Sequence, residues 1–199
     1  MSDLYLLGNN ECLEMKRIAV VGTRRMSEYG CVMAEQFVET LVRDNWCIVS
    51  GMARGIDTRA HKTAIENGGR TIAVLGHGMG RCYPPENTGL KQKILDTGGM
   101  LISQYEHDEV ATPEKFRQRD GLMARLSQAI LVIECPRRSG VKITVAEAAQ
   151  LGKSVFVVPG PINISSYHGS VEIVRDGGIP VFSPDDLIQC LHENNSWAR

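Results

Sequence analysis

Residues 17–30 read RIAVVGTRRMSEYG. Arg17–Val21 is a continuous strand-like run, apolar from Ile18 onward; Gly22 closes it, two arginines follow, and a helical pattern begins at Tyr29. A run without polar alternation predicts a strand buried on both faces, and a strand that feeds a helix predicts a crossover. The helix is expected over Tyr29–Asp44, with Val32, Met33, Phe37, Leu41 and Val42 on one side.

The same unit recurs outward along the chain. Strands are expected at Cys47–Val49, Thr71–Leu75, Met100–Ser103, Ile130–Glu134 and Ser154–Val158, with a short edge strand at Ile179–Phe182. Helices are expected at Asp57–Asn67, Leu90–Thr97, Leu122–Ser127 and Thr144–Leu151; Gly68-Gly69 and Gly98-Gly99 stop the first two. Alternating buried strands and helices predict a single α/β domain with a doubly wound, mostly parallel sheet. Its core spans 17–187, between an N-terminal arm at 1–16 and a C-terminal tail at 188–199. In such sheets ligands sit beyond the carboxyl ends of the strands, near a topological switch point.

Composition narrows the classes. The 199 residues are 43% hydrophobic and 23% charged, with a net charge of -1, so a polyanion partner must be held by a local patch. No apolar run is long enough to span a bilayer, and MSDLYLLGNNECLEMK lacks the basic-then-apolar order of a signal peptide. The six cysteines (12, 31, 47, 82, 135 and 190) show no C-x-x-C, and Cys31, Cys47 and Cys135 fall in apolar-periodic segments. Reduced, buried thiols in a cytoplasmic protein are expected.

The glycine-bearing loops VVGTRRMSEYG, VSGMARGID, VLGHGMGRCYPPEN, IECPRRSGVKIT and VVPGPINISSYHG all fall at carboxyl ends of predicted strands. Glycines let backbone amides approach an anion, and a following helix N-terminus adds positive partial charge. The candidate phosphate-holding positions are Gly22, Thr23, Arg24, Ser27 and Gly30 in the first loop. The second contributes Ser50, Gly51, Arg54, Gly55, Asp57 and His61, and the third Gly76 and Gly78. Ser139, Gly140, Lys142 and Thr144 come from the fourth, and Gly160 from the fifth. Asp57 either caps its helix or orients Arg54 or His61, and His61 is either packed or in contact with ligand. The first loop is neither G-x-G-x-x-G nor a P-loop, which removes support for NAD and conventional ATPase readings. No His/Cys/Asp cluster has metal spacing and no nucleophile elbow is visible, so neither a metal nor another cofactor is expected.

Several of these motifs, in order, resemble the DNA-processing protein A family. They are VVGTRRMSEYG, VSGMARGIDTRAH, GGRTIAVLGHGMGRCYPPEN, Phe116-Arg117-Gln118-Arg119-Asp120, SGVKIT and VVPG, from about Arg17 to Gly160 with a weaker echo to Leu187. The resemblance implies an extended Rossmann-like core that binds and protects single-stranded DNA, helps load a RecA-type recombinase in natural transformation, and works as a homodimer, not as an enzyme. By match to the family motifs, Arg24, Ser50, Gly51 and Arg54 would line the phosphate pocket, with Arg119 from an F-P-x-R-N-R segment and Lys142 as a basic neighbour. Phosphates would carry most of the binding, because only Tyr29, Tyr83 and Phe116 lie near the loops. The chain departs from R-N-R at Asp120 and Gly121, losing one cation and gaining an acid. The small N-terminal helical domain and the C-terminal winged-helix-like domain of many members are not expected within these residues.

A second resemblance, within the same superfamily, is to the LOG-type phosphoribohydrolases, which cleave the N-glycosidic bond of nucleoside monophosphates. Thr144 and Glu147 keep the end of their P-G-G-x-G-T-x-x-E signature, and Arg119 precedes a similar Met123-Ala124-Arg125-Leu126 helix. That alternative makes Arg119 and Glu147 a catalytic pair, with the glutamate stabilising oxocarbenium character. A third, plainer class is a nucleotide-binding interaction module.

Overall fold

A computed structural model describes residues 4–161 and 163–193; part of the expected arm (1–3) and of the tail (194–199) lies outside them. Among the described residues, eight strands form one sheet: β1 (Tyr5–Gly8), β2 (Lys16–Gly22), β3 (Trp46–Ser50), β4 (Thr71–Leu75), β5 (Met100–Ser103), β6 (Ala129–Glu134), β7 (Val155–Val157) and β8 (Ile179–Pro180). Their spatial order is β1-β5-β4-β3-β2-β6-β7-β8. Every pairing is parallel except that of β1 with β5. The helices are α1 (Glu28–Arg43), α2 (Ile56–Glu66), α3 (Thr88–Asp96), α4 (Pro113–Leu126), α5 (Val141–Gln150), α6 (His168–Arg175) and α7 (Pro184–Glu193).

The period-two geometry of a strand divides β2 between the two faces of the sheet. Ile18 and Val20 pack with Phe37 and Leu41 of α1, Ala60 of α2 and Leu187 of α7. Ala19 and Val21 pack with Leu122 and Met123 of α4, Ala148 of α5 and Ile173 of α6. Burial on both sides is why the run lacks polar alternation. The chain winds outward from β2 through β3, β4 and β5, then returns to place β6 on the other side of β2. That reversal is the switch point, and it opens a crevice beyond the ends of β2 and β6.

Three expectations need correction. Helix α1 buries Gly30, Ala34, Phe37, Val38 and Leu41, whereas Val32 is 44% exposed, so the buried face is turned away from Val32. Helix α4 starts at Pro113 rather than Leu122: the Thr112 side chain caps it by accepting from the Lys115 N–H at 3.2 Å, and Pro113 takes the first helical position. The polar stretch EKFRQRD hid its first two turns. Cys31 is only partly buried, while Cys12, Cys47 and Cys135 are buried, and none of the six forms a disulfide. In addition, Tyr5–Gly8 of the expected arm joins the sheet as an antiparallel edge strand. No helix among the described residues is long and apolar enough to cross a membrane.

Candidate functional site

The crevice at the switch point holds a cavity of about 290 Å³. Gly22, Thr23, Arg24 and Arg25 reach it from the end of β2, Ala53 and Asp57 from the β3–α2 turn, and Arg119, Asp120 and Met123 from α4. Pro136, Arg138, Ser139, Gly140, Val141 and Thr144 come from the β6–α5 turn. The Ile56 N–H donates to the Thr23 carbonyl at 3.2 Å and ties the first two loops together. Gly55 makes that approach possible: its φ is +72°, and a Cβ there would collide with the Thr23 carbonyl. Glycine is therefore needed on the far side of Arg54, which explains half of the Gly51–Gly55 bracket.

Gly51 explains the other half. Arg119, 2% exposed, crosses under the cavity and donates from Nη1 to the carbonyl oxygens of Gly51 and, at 3.2 Å, of Val74. A Cβ on Gly51 would overlap that guanidinium and lie 2.8 Å from Asp57 Oδ2. Arg119 Nε pairs with Asp120 Oδ1 at 2.9 Å. Nε and Nη1 of Arg119 are thus engaged by the protein itself. Burial pushes the Asp57 carboxyl up to about 6, against the pull of Arg119. Burial also raises Asp120, opposed by Arg119 and then Arg24.

Four arginines and two aspartates line the cavity, and Arg24, Arg25 and Arg138 form no ion pair among the described residues. Their charge faces a crevice that also receives the N-terminus of α5 at Gly140 and Val141. Arg24, Asp120 and Gly140 form the neck to a second cavity of about 660 Å³, which contains Tyr83, Val110, Phe116, Arg117 and Ile143. There Tyr83 and Phe116 lie 5.4 Å apart, and the Arg24 guanidinium sits 5.3 Å from the Phe116 ring centre.

Of the residues expected from sequence, Gly22, Thr23, Arg24, Asp57, Arg119, Ser139, Gly140 and Thr144 meet at this cavity. Gly51 and Arg54 line a smaller neighbouring hollow with Arg24, and Arg54 is engaged by Glu86. The others are used elsewhere. Ser27 caps α1 and donates to the buried Glu134 at 2.9 Å, and Gly30 packs on that carboxylate. Ser50 is buried and donates to the Val20 carbonyl at 2.7 Å. His61 has no exposed surface; it meets Thr71 Oγ1 at 2.7 Å, and burial, aided by Arg119, pushes it down to about 3. Gly76 lies beneath Phe116, Gly78 against the Glu106 carbonyl and Gly160 against Tyr167. Lys142 pairs with Glu172 at 2.6 Å, on the side away from the crevice.

Asp57 sits in the first turn of α2 but its Oδ2 accepts from the Ala53 N–H at 3.3 Å, and neither Arg54 nor His61 is its partner. Arg119 and Glu147 do not form a pair: Arg119 turns toward β3 and β4, whereas Glu147 is held by Arg125 at 2.5 Å. No group of three or more His, Cys, Asp or Glu among the described residues could hold a metal ion. Sequence placed Arg138, Tyr83 and Phe116 near the loops without assigning them to the site, and it did not single out Arg25. The Thr112-Pro113 start signal would have brought Phe116 and Asp120 onto one helix face.

Comparison with known proteins agrees with this architecture. Protein Smf of Escherichia coli K12 is 35% identical over 194 residues, covering 98% of this chain and 52% of its own length. The X-ray structure of DNA processing protein A from Streptococcus pneumoniae superposes with a TM-score of 0.87 at 35% identity, over 94% of this chain and 65% of that one. The Helicobacter pylori protein, whose structure was described for its single-stranded DNA binding mode, gives 0.86 at 26% identity over 96% and 87%. This chain spans about half to two thirds of the length of its curated relatives. The profile of the family described as DNA recombination-mediator protein A matches residues 2–192, and the chain belongs to that family.

Proposed function

We propose that the chain binds single-stranded DNA, with backbone phosphates in the crevice beyond β2 and β6 and bases turned toward the Tyr83–Phe116 wall. The observation that carries this reading is the set of three arginines, Arg24, Arg25 and Arg138, that have no acidic partner among the described residues and surround one cavity beside a helix N-terminus. Such a crevice neutralises phosphates without reading sequence, and adjacent aromatic rings accept any base face. A single strand can turn its bases away from its backbone, whereas a duplex cannot. The family's description as a recombination mediator supports one further part of the reading, a RecA-type recombinase that receives the strand; a homodimer as the working unit completes the proposal.

Fluorescence anisotropy of a labelled oligothymidylate tests this, at low and near-physiological salt and against a duplex of the same length. Binding that prefers the single strand and weakens with salt supports the reading. Absence of binding at low salt contradicts it.

A further inference from the structure

We infer that Asp120 makes the crevice selective for guanine among the bases of a bound strand. This rests on the single-stranded DNA reading and extends it from phosphates to bases. Asp120 stands at the neck between the arginine-lined cavity and the aromatic one, and it lines both. Its Oδ1 is held by Arg119 Nε at 2.9 Å. Its Oδ2 faces Gly140, where a Cβ would lie 3.2 Å away, and takes no hydrogen bond from any described residue. A carboxylate offers about four acceptor positions and no donor. Most of these remain open here, in a side chain only 16% exposed.

An anion beside a phosphate crevice opposes the backbone of any strand that enters. It becomes favourable only toward N–H donors, and a strand supplies those on its bases. Phe116 and Asp120 are four residues apart on α4, so ring and carboxylate share one helix face. A base lying against the aromatic wall turns an edge toward Asp120. Guanine alone presents two adjacent donors there, N1–H and the 2-amino group, which match the two carboxylate oxygens. Thymine presents one N–H between two carbonyl oxygens, and those repel the carboxylate.

The test compares three oligonucleotides of equal length by anisotropy, in lithium buffer to suppress guanine quadruplexes. One is oligothymidylate, one carries isolated guanines in thymidine, and one carries hypoxanthine at the same places. Guanine should bind about tenfold more tightly than thymine, as expected for one bidentate base contact. Hypoxanthine, which lacks the 2-amino group, should lose most of that gain. Asp120→Asn, isosteric and uncharged, should bind oligothymidylate more tightly than the wild type and bring guanine within about twofold of it. Equal binding of all three oligonucleotides by the wild type overturns the inference while leaving the single-strand reading intact. A guanine preference that survives in hypoxanthine, or in Asp120→Asn, also overturns it, because N7 and O6 would then be read by an arginine. Failure to bind any of the three contradicts the single-strand reading itself.

Discussion

Arg119 of α4 donates to the carbonyl of Gly51, 68 residues earlier in the chain, and so fastens the helix that floors the crevice to the loop that rims it. The same guanidinium reaches the Val74 carbonyl at 3.2 Å and pairs with Asp120. An arginine in a phosphate-binding motif is readily taken for a ligand contact. Here it is the buried brace of the site. Arg119→Met should therefore destabilise the fold, by about 3 kcal/mol, because two carbonyls and a carboxylate lose their partner in a buried place. Urea unfolding measures this. A variant of wild-type stability with weakened DNA binding would show that the guanidinium serves the ligand instead.

Gly51→Ala probes the same junction from the other side. The added methyl would overlap Arg119 and crowd Asp57 Oδ2, and both neighbours are buried with little room to yield. A loss of about 1–3 kcal/mol is expected, as for other overpacked sites. Thermal or urea unfolding reads it directly. Gly68→Ala is a poor control because Gly68 has a φ of +71°; Gly89→Ala is better, since Gly89 has ordinary φ and its Cβ would meet nothing within 4 Å.

The pH dependence of stability has two opposed parts. Asp57 titrates near 6 in the folded chain against an ordinary value of 3.8, so the fold binds its proton more tightly than the unfolded chain does. Its stabilising contribution is whole below 3.8 and is lost as pH rises through 6. His61 is the reverse: its folded value near 3 lies below the ordinary 6.5, so its contribution is whole above 6.5 and is lost as pH falls toward 3. Between these limits the two partly cancel. Asp57→Asn removes the first and keeps the second. Relative to wild type, its stability should improve by about 3 kcal/mol as pH rises from about 4 to 7. Urea unfolding at a series of pH values checks this, and a difference independent of pH would contradict the assignment to Asp57.

Arg54, bracketed by its two glycines, should matter less for DNA than Arg24. It is exposed and already engaged by Glu86, whereas Arg24 has no acidic partner among the described residues and lies against Phe116. Arg54→Ala should change oligothymidylate affinity by less than about twofold, a rim effect. Arg24→Ala should weaken it by about tenfold, the loss of one charge-assisted phosphate contact. Parallel titrations separate the two, and equal losses would place Arg54 in the phosphate path.

The sheet was legible because RIAVV, TIAVL and ILVIE are buried on both faces and cannot alternate. The crevice was legible because glycine loops closing parallel strands converge at one edge. What sequence could not show was the direction of each side chain once the loop had turned. Ser50 and His61 sit in the right loop and helix but point into the core, while Arg138, beside Arg137, turns toward the crevice. The start of α4 escaped because its first turns carry charge rather than apolar periodicity. Phe116 and Asp120 were therefore read as a segment and not as one face of a helix.

The most direct test of the phosphate crevice is the salt dependence of oligothymidylate binding, measured by anisotropy for the wild type and for the Arg24→Ala/Arg138→Ala double variant. Each phosphate contact on a single strand contributes about 0.7 to the slope of log K against log salt. The double variant should bind weakly, with a slope shallower by about 1.4, while unfolding at the wild-type urea concentration. An unchanged slope and affinity in a folded double variant would contradict the assignment of the crevice to the DNA backbone.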